Sequence, residues 1–126
     1  MIKPLIFFLI SLLLSACGDH KINLGNNYFF LFESKENAII YREPWQENNP
    51  LIYCSVDEYD FDDDHIIAKQ VYSSECFWPV DKPVIPMINE KFYWIIDKKK
   101  NIYLGPYHYK EFSNQLDSLD IELKLN

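Results

Sequence analysis

The sequence predicts a mainly β fold of the α+β class: an antiparallel β-meander with one C-terminal amphipathic helix packed on the sheet. Two patterns carry the meander. Short runs dense in aromatic and β-branched residues recur along the chain, and clusters of Asn, Asp, Gly and Pro punctuate them. A third pattern carries the helix. After Pro106 the apolar residues Tyr109, Phe112, Leu116 and Leu119 fall at helical spacing, with polar residues between them.

Taken in order, residues 18–27 are polar and hold the turn formers Gly25, Asn26 and Asn27, which reads as a short tether. Residues 28–32 and 38–42 are strand candidates, and the polar stretch 33–37 between them makes a hairpin. Residues 43–50 contain Pro44, Asn48, Asn49 and Pro50 and cannot continue a ladder, because proline brings no N–H donor. Residues 51–59 and 65–72 form the next strand pair, joined through an acidic turn. Pro79, Pro83 and Pro86 make residues 77–90 an irregular surface run. Residues 92–97, the polar turn 98–101 and the returning strand 102–105 form a last hairpin, and the helix follows. Ile121, Leu123 and Leu125 alternate with Glu122 and Lys124, which suits either a final short strand or a frayed end.

The start of the chain is of a different kind. Lys3 is followed by an apolar run from Leu5 to Leu14 broken only by Ser11, the charged and apolar regions of an export signal. From Leu5 to Ala16 a helix would extend about 18 Å, well short of a bilayer core of about 30 Å. The segment is too short to span. Leu14-Ser15-Ala16-Cys17 resembles the lipobox of bacterial lipoprotein precursors. The resemblance implies diacylglycerol on the Cys17 sulfur, cleavage before Cys17, and acylation of the new amine, for instance with palmitate. Two or three chains make such an anchor effectively stable, since each buried methylene contributes about 0.8 kcal/mol. The alternative is an ordinary secretory signal cut after Ala16, which leaves Cys17 a thiol. Gly18, where an aspartate would imply inner-membrane retention, implies the periplasmic face of an outer membrane in a bacterium that has one. The expected organisation is a signal peptide over 1–16, a lipidated N-terminus and tether over 17–27, and one β-rich domain over 28–126.

Twelve Lys and Arg against nineteen Asp and Glu give a formal net charge of −7. Losing Lys3 with the leader makes the exported part more negative still. Nucleic acid is excluded as an expected partner, because phosphate binding needs clustered cations. An acidic surface suits another envelope protein or a cationic protein, with the membrane reached through the lipid. With Cys17 assigned to lipid, Cys54 and Cys76 remain in a compartment where disulfides persist. Pairing them would stabilise the fold by about 3 kcal/mol; two inert buried thiols are the alternative.

The order of an N-terminal hairpin, a central strand pair, the strand Tyr93-Trp94-Ile95-Ile96-Asp97, a short strand ending in Gly105-Pro106 and a helix carrying Phe112 resembles a family of small bacterial lipoproteins known as a domain of unknown function. The resemblance covers most of the exported chain and implies no catalytic residues and no cofactor. One departure is visible. Those relatives place Ser or Thr at the helix N-cap, where this chain has His108, a poorer cap.

Candidate sites are few. Asp60, Asp62 and Asp64 begin like a calcium loop within an acidic run, but His65 and Val71 stand where an EF-hand needs Gly and Glu. A solvated turn is the simpler reading. His65 and His108 fall outside any catalytic pattern, and there is no nucleophile elbow, phosphate-binding glycine loop or zinc signature, so the expected protein is not an enzyme. Paired carboxylates of a glycosidase type are left to geometry. Aromatics are abundant, at nine Phe, nine Tyr and three Trp, of which only Phe7 and Phe8 belong to the leader. They fill a thin core or form a recognition surface, for which Trp45 and Trp78, in the two Pro-rich loops, are the candidates. Lys98, Lys99 and Lys100 read as a solvated turn or as a contact with anionic head groups. Two functional readings follow: a lipid-anchored binding or structural module of the envelope, or an inhibitor or immunity-type lipoprotein that blocks a cationic hydrolase or toxin with its acidic loops.

Overall fold

The computed structural model describes residues 20–46, 49–74 and 87–126. They form seven strands, β1 (His20–Gly25), β2 (Tyr28–Phe32), β3 (Ala38–Arg42), β4 (Val56–Phe61), β5 (His65–Val71), β6 (Lys91–Asp97) and β7 (Ile102–Tyr107), followed by one helix, α1 (Tyr109–Ser118). The mainly β class and the C-terminal helix are as the sequence predicts. The strands divide, however, into two antiparallel sheets, β1-β2-β3 and β4-β5-β6-β7. Each is a meander of sequence neighbours, and the break falls where the Pro-rich stretch after β3 cannot pair.

The split explains the burial. Leu24, Tyr28, Phe30, Ala38 and Ile40 of the first sheet meet Val56, Ile66, Ala68, Trp94 and Ile96 of the second in one core. The second sheet turns its opposite face, through Ile67 and Ile95, to Phe112 of α1. Strands β5 and β6 are therefore covered on both faces, and the molecule has three layers, sheet on sheet on helix. Phe112 is 2% exposed, and burying such a ring contributes about 2–3 kcal/mol. Of the four residues that predicted the helix, Phe112 and Leu116 pack inward, whereas Tyr109 and Leu119 stand exposed. His108 makes no side-chain cap.

The expected tether is partly a strand. Ile22 and Leu24 alternate with Lys21 and Asn23 in β1, which pairs with β2, and Asn26 and Asn27, at φ 52° and 66°, form the two-residue turn between them. Both residues take the left-handed conformation such a turn requires, which asparagine tolerates well. The predicted strand 51–59 begins only at Val56, because Ser55 adopts φ 49° and breaks the extended run; before it, Ile52 makes a lone bridge to Ile40. Ile121, Leu123 and Leu125 form no strand but pack on the α1 side of the second sheet.

The two ends of the sandwich differ. At the entry end, where β1 begins, lie the β2–β3 turn and the start of β4, joined by Ser55 N–H donating to the Glu36 carbonyl at 3.1 Å. At the far end lie the β1–β2, β4–β5 and β6–β7 turns. Lys98 N–H donates to the Asp64 carbonyl at 2.9 Å, and the Asn26 side-chain amide donates to the Lys98 carbonyl.

Candidate functional site

At the far end the acidic turn is built by its own first aspartate. Asp62 accepts from Asp64 N–H at 2.9 Å and from His65 N–H at 2.8 Å. This fixes the chain reversal between β4 and β5. Asp60 accepts from Phe61 N–H at 3.0 Å and from Lys124 N–H at 3.2 Å, and Asp64 pairs with Lys99 at 2.9 Å. The hydrogen bond from Lys99 holds the Asp64 carboxyl below its ordinary range. Asp60, Asp62 and Asp64 are thus turned to backbone and lysine rather than to one another. Among the described residues no group of three or more His, Cys, Asp or Glu side chains is placed to hold a metal ion, and these carboxylates shape a turn.

The three lysines also part company. Lys99 and Lys100 are exposed, but Lys98 is 2% exposed and folds inward between the sheets. Its Nζ donates to the Leu24 carbonyl at 2.6 Å and lies 5.6 Å from the centre of the Phe61 ring. Burial pushes its pKa down, against the pull of Asp62, Asp63 and Asp64. The expectation of three solvated lysines fails at this one, and the sequence holds no sign of which lysine turns in. Beside it Tyr28 is fully buried and donates to Asn101 Oδ1 at 3.2 Å; burial raises its hydroxyl to about 12. Around this clasp stand exposed apolar side chains: Trp45 at 63%, Ile102 at 44% and Phe61 at 40%. Trp45 follows β3, whose exit is held at this end by Glu43 N–H donating to the Asn27 carbonyl at 2.8 Å. The far end thus sets an acidic turn and the exposed Lys99 and Lys100 beside exposed aromatics.

At the entry end a groove of about 490 Å³ opens between the sheets, with Phe30, Phe32 and Tyr59 on its apolar side and Lys35, Glu36, Asp57 and Asn89 among its polar lining. Asp57 pairs with Lys69 at 3.1 Å. The two histidines considered as candidates are far apart in role. His108 pairs with Glu90 at 2.9 Å and lies against Phe92, while His65 opens β5 beside the acidic turn. Inside the second sheet Gln70 is fully buried, accepting from Trp94 Nε1 at 2.9 Å and donating to the Cys54 carbonyl at 3.0 Å. Cys54 is itself buried. Cys17, Cys76 and Trp78 lie outside the described residues, as do residues 1–16. Among the described residues no helix is long and apolar enough to cross a membrane.

Comparison with curated proteins and with solved structures finds no match. A family profile described as protein of unknown function (DUF3997) matches residues 25–126, from the β1–β2 turn through both sheets and the helix. The chain belongs to that family.

Proposed function

We propose that this protein is a lipid-anchored, extracytoplasmic lipoprotein of the bacterial envelope, non-catalytic, that presents its acidic and aromatic far end to a cationic envelope partner. One observation supports this reading above the others. Cys17, the lipid-bearing residue of the lipobox, stands three positions before His20, where β1 enters the sandwich, and the acidic turn lies at the opposite end. Three residues reach about 11 Å at most, so a lipid on Cys17 keeps the entry end close to the bilayer. Strands of six or seven residues then hold Asp62, Asp63 and Asp64 about 20 Å further out. The signal peptide, the palmitate and the periplasmic face of the outer membrane belong to the same reading. So does a Cys54–Cys76 disulfide: Ser73 Oγ lies 3.5 Å from Ser55 Oγ, which puts a described residue three positions before Cys76 beside the neighbour of Cys54.

The inhibitor reading differs only in what the partner does, since an acidic turn beside Trp45 and Phe61 can equally cover the active site of a cationic hydrolase. Growth in labelled palmitate tests the anchor: the wild-type chain should carry label and need detergent for release, and Cys17→Ser should carry none. A protein that washes free unlabelled overturns the reading. Capture of the partner should weaken steeply with ionic strength, because the screening length shrinks from about 10 Å at 0.1 M to about 3 Å at 1 M salt. Loss of a hydrolase's activity on capture would favour the inhibitor.

A further inference from the structure

The exposed apolar side chains of the entry end have no explanation in the far-end surface. Met87 is 74% exposed and Ile88 65%. They sit in a turn closed by Glu90 N–H donating to the Met87 carbonyl at 3.0 Å, and the turn is tied to the end of the second sheet by Asn89 N–H donating to the Tyr72 carbonyl at 2.8 Å. Across the groove from Asn89 stands Phe32, 41% exposed, whose register partner in β1 is His20. On the remaining side Tyr109, 65% exposed, opens α1 against Tyr93 at 5.5 Å between ring centres, and the His108–Glu90 pair fastens the helix start to the Met87 turn. Segments distant in sequence thus bring Phe32, Met87, Ile88 and Tyr109 to one rim. Exposed Lys35, Lys91 and Lys110 stand at the same end, interspersed with exposed Glu33, Glu36, Asp57 and Glu111.

This rim is composed as a bilayer interface requires: apolar tips, a tyrosine with a polar end, and lysines whose stems can lie on apolar surface while their ammonium groups stay in water. Its position selects the occupant. His20 lies three residues after Cys17, so the chain that carries the lipid enters the fold at this rim. We infer that the rim of Phe32, Met87, Ile88 and Tyr109 docks on the lipid surface, so that the domain stands upright on the membrane rather than swinging on a tether. The inference rests on the lipid-anchor reading and adds an orientation to it. Amphipathic elements at a bilayer surface bury apolar groups about 5–10 Å into the headgroup and acyl boundary, a depth these side chains reach without unfolding any strand.

The test uses the full-length protein, labelled with palmitate in its own cells and transferred to vesicles of phosphatidylcholine and phosphatidylglycerol. Ile88→Trp places a fluorophore on the rim, Ile102→Trp places one at the far end, and each is compared with the unsubstituted chain. With acyl chains brominated near the headgroup, the added emission of Ile88→Trp should fall by about half or more, and that of Ile102→Trp should be unaffected. A palmitate-labelled protein in which Ile88→Trp escapes quenching, or in which both positions are quenched alike, overturns the docking while the anchor stands. Absence of label overturns the anchor, and the docking with it.

Discussion

Replacing Gln70 with leucine removes one side chain that serves two strands and a loop. Gln70 is fully buried, its oxygen accepting from the Trp94 indole at 2.9 Å and its amide donating to the Cys54 carbonyl at 3.0 Å. Leucine fills a similar space and offers neither bond. Each buried polar group that loses its partner costs about 1–3 kcal/mol, and leucine's apolar surface returns about 1 kcal/mol. The net loss should be about 1–5 kcal/mol, a large share of a domain stability of about 5–15 kcal/mol. In urea, with a slope of about 2 kcal/mol per molar, this lowers the unfolding midpoint by about 0.5–2.5 M, read by far-ultraviolet circular dichroism. Trp94→Phe completes a double-mutant cycle. Once the indole N–H is gone, Gln70→Leu should cost less, giving a coupling of about 1 kcal/mol or more. An unchanged midpoint, or strict additivity of the two substitutions, would refute the argument that this pair is an energetic unit.

Two further substitutions probe backbone and protonation. Gly105 has φ +122°, and an added Cβ would lie 2.8 Å from the Tyr93 carbonyl oxygen and 3.2 Å from Trp94 Cε3; Gly105→Ala should therefore cost about 2–4 kcal/mol in urea unfolding, since neither the backbone nor a packed indole can withdraw cheaply. Tyr28 has its hydroxyl raised by burial from 10.0 to about 12. Its contribution is intact below pH 10 and is lost as pH rises toward 12, because the unfolded chain gives up the proton first. Tyr28→Phe should lose up to roughly 2–3 kcal/mol less than wild type across that window, measured by unfolding at pH 9 and pH 11.5. Lys98, whose pKa burial lowers, acts in the opposite sense, so the comparison is between variants at each pH.

The local pattern in the sequence went far. Apolar and aromatic runs located β2, β3, β5, β6 and β7, and helical spacing located α1, because in each case a buried face repeats at the period of its element. β1 escaped although Ile22 and Leu24 alternate with Lys21 and Asn23, because Gly25, Asn26 and Asn27 read as a flexible lead when they are a tight turn. The division into two sheets is a matter of which strands pair, which no local pattern states. A trace of it was present. The doublets Ile66-Ile67 and Ile95-Ile96 leave neither face of β5 or β6 polar, as strands covered on both sides require. At the far end the acidic turn and exposed Trp45 were legible, whereas the burial of Lys98 was not, since it depends on a carbonyl seventy-four residues away in the chain.

The sheets are fastened unequally. At one end Lys98, Asn26 and Tyr28 tie them together with side-chain hydrogen bonds, and at the other Ser55 holds the Glu36 carbonyl beside the open groove. The molecule is therefore built like a clothes-peg, with its spring near the acidic turn and its jaws, at residues 33–37 and 55–57, closed by the Ser55–Glu36 contact alongside the groove. Slow breathing should open the jaws first, so backbone amides there should exchange with deuterium well before those near Leu24 and Asn101.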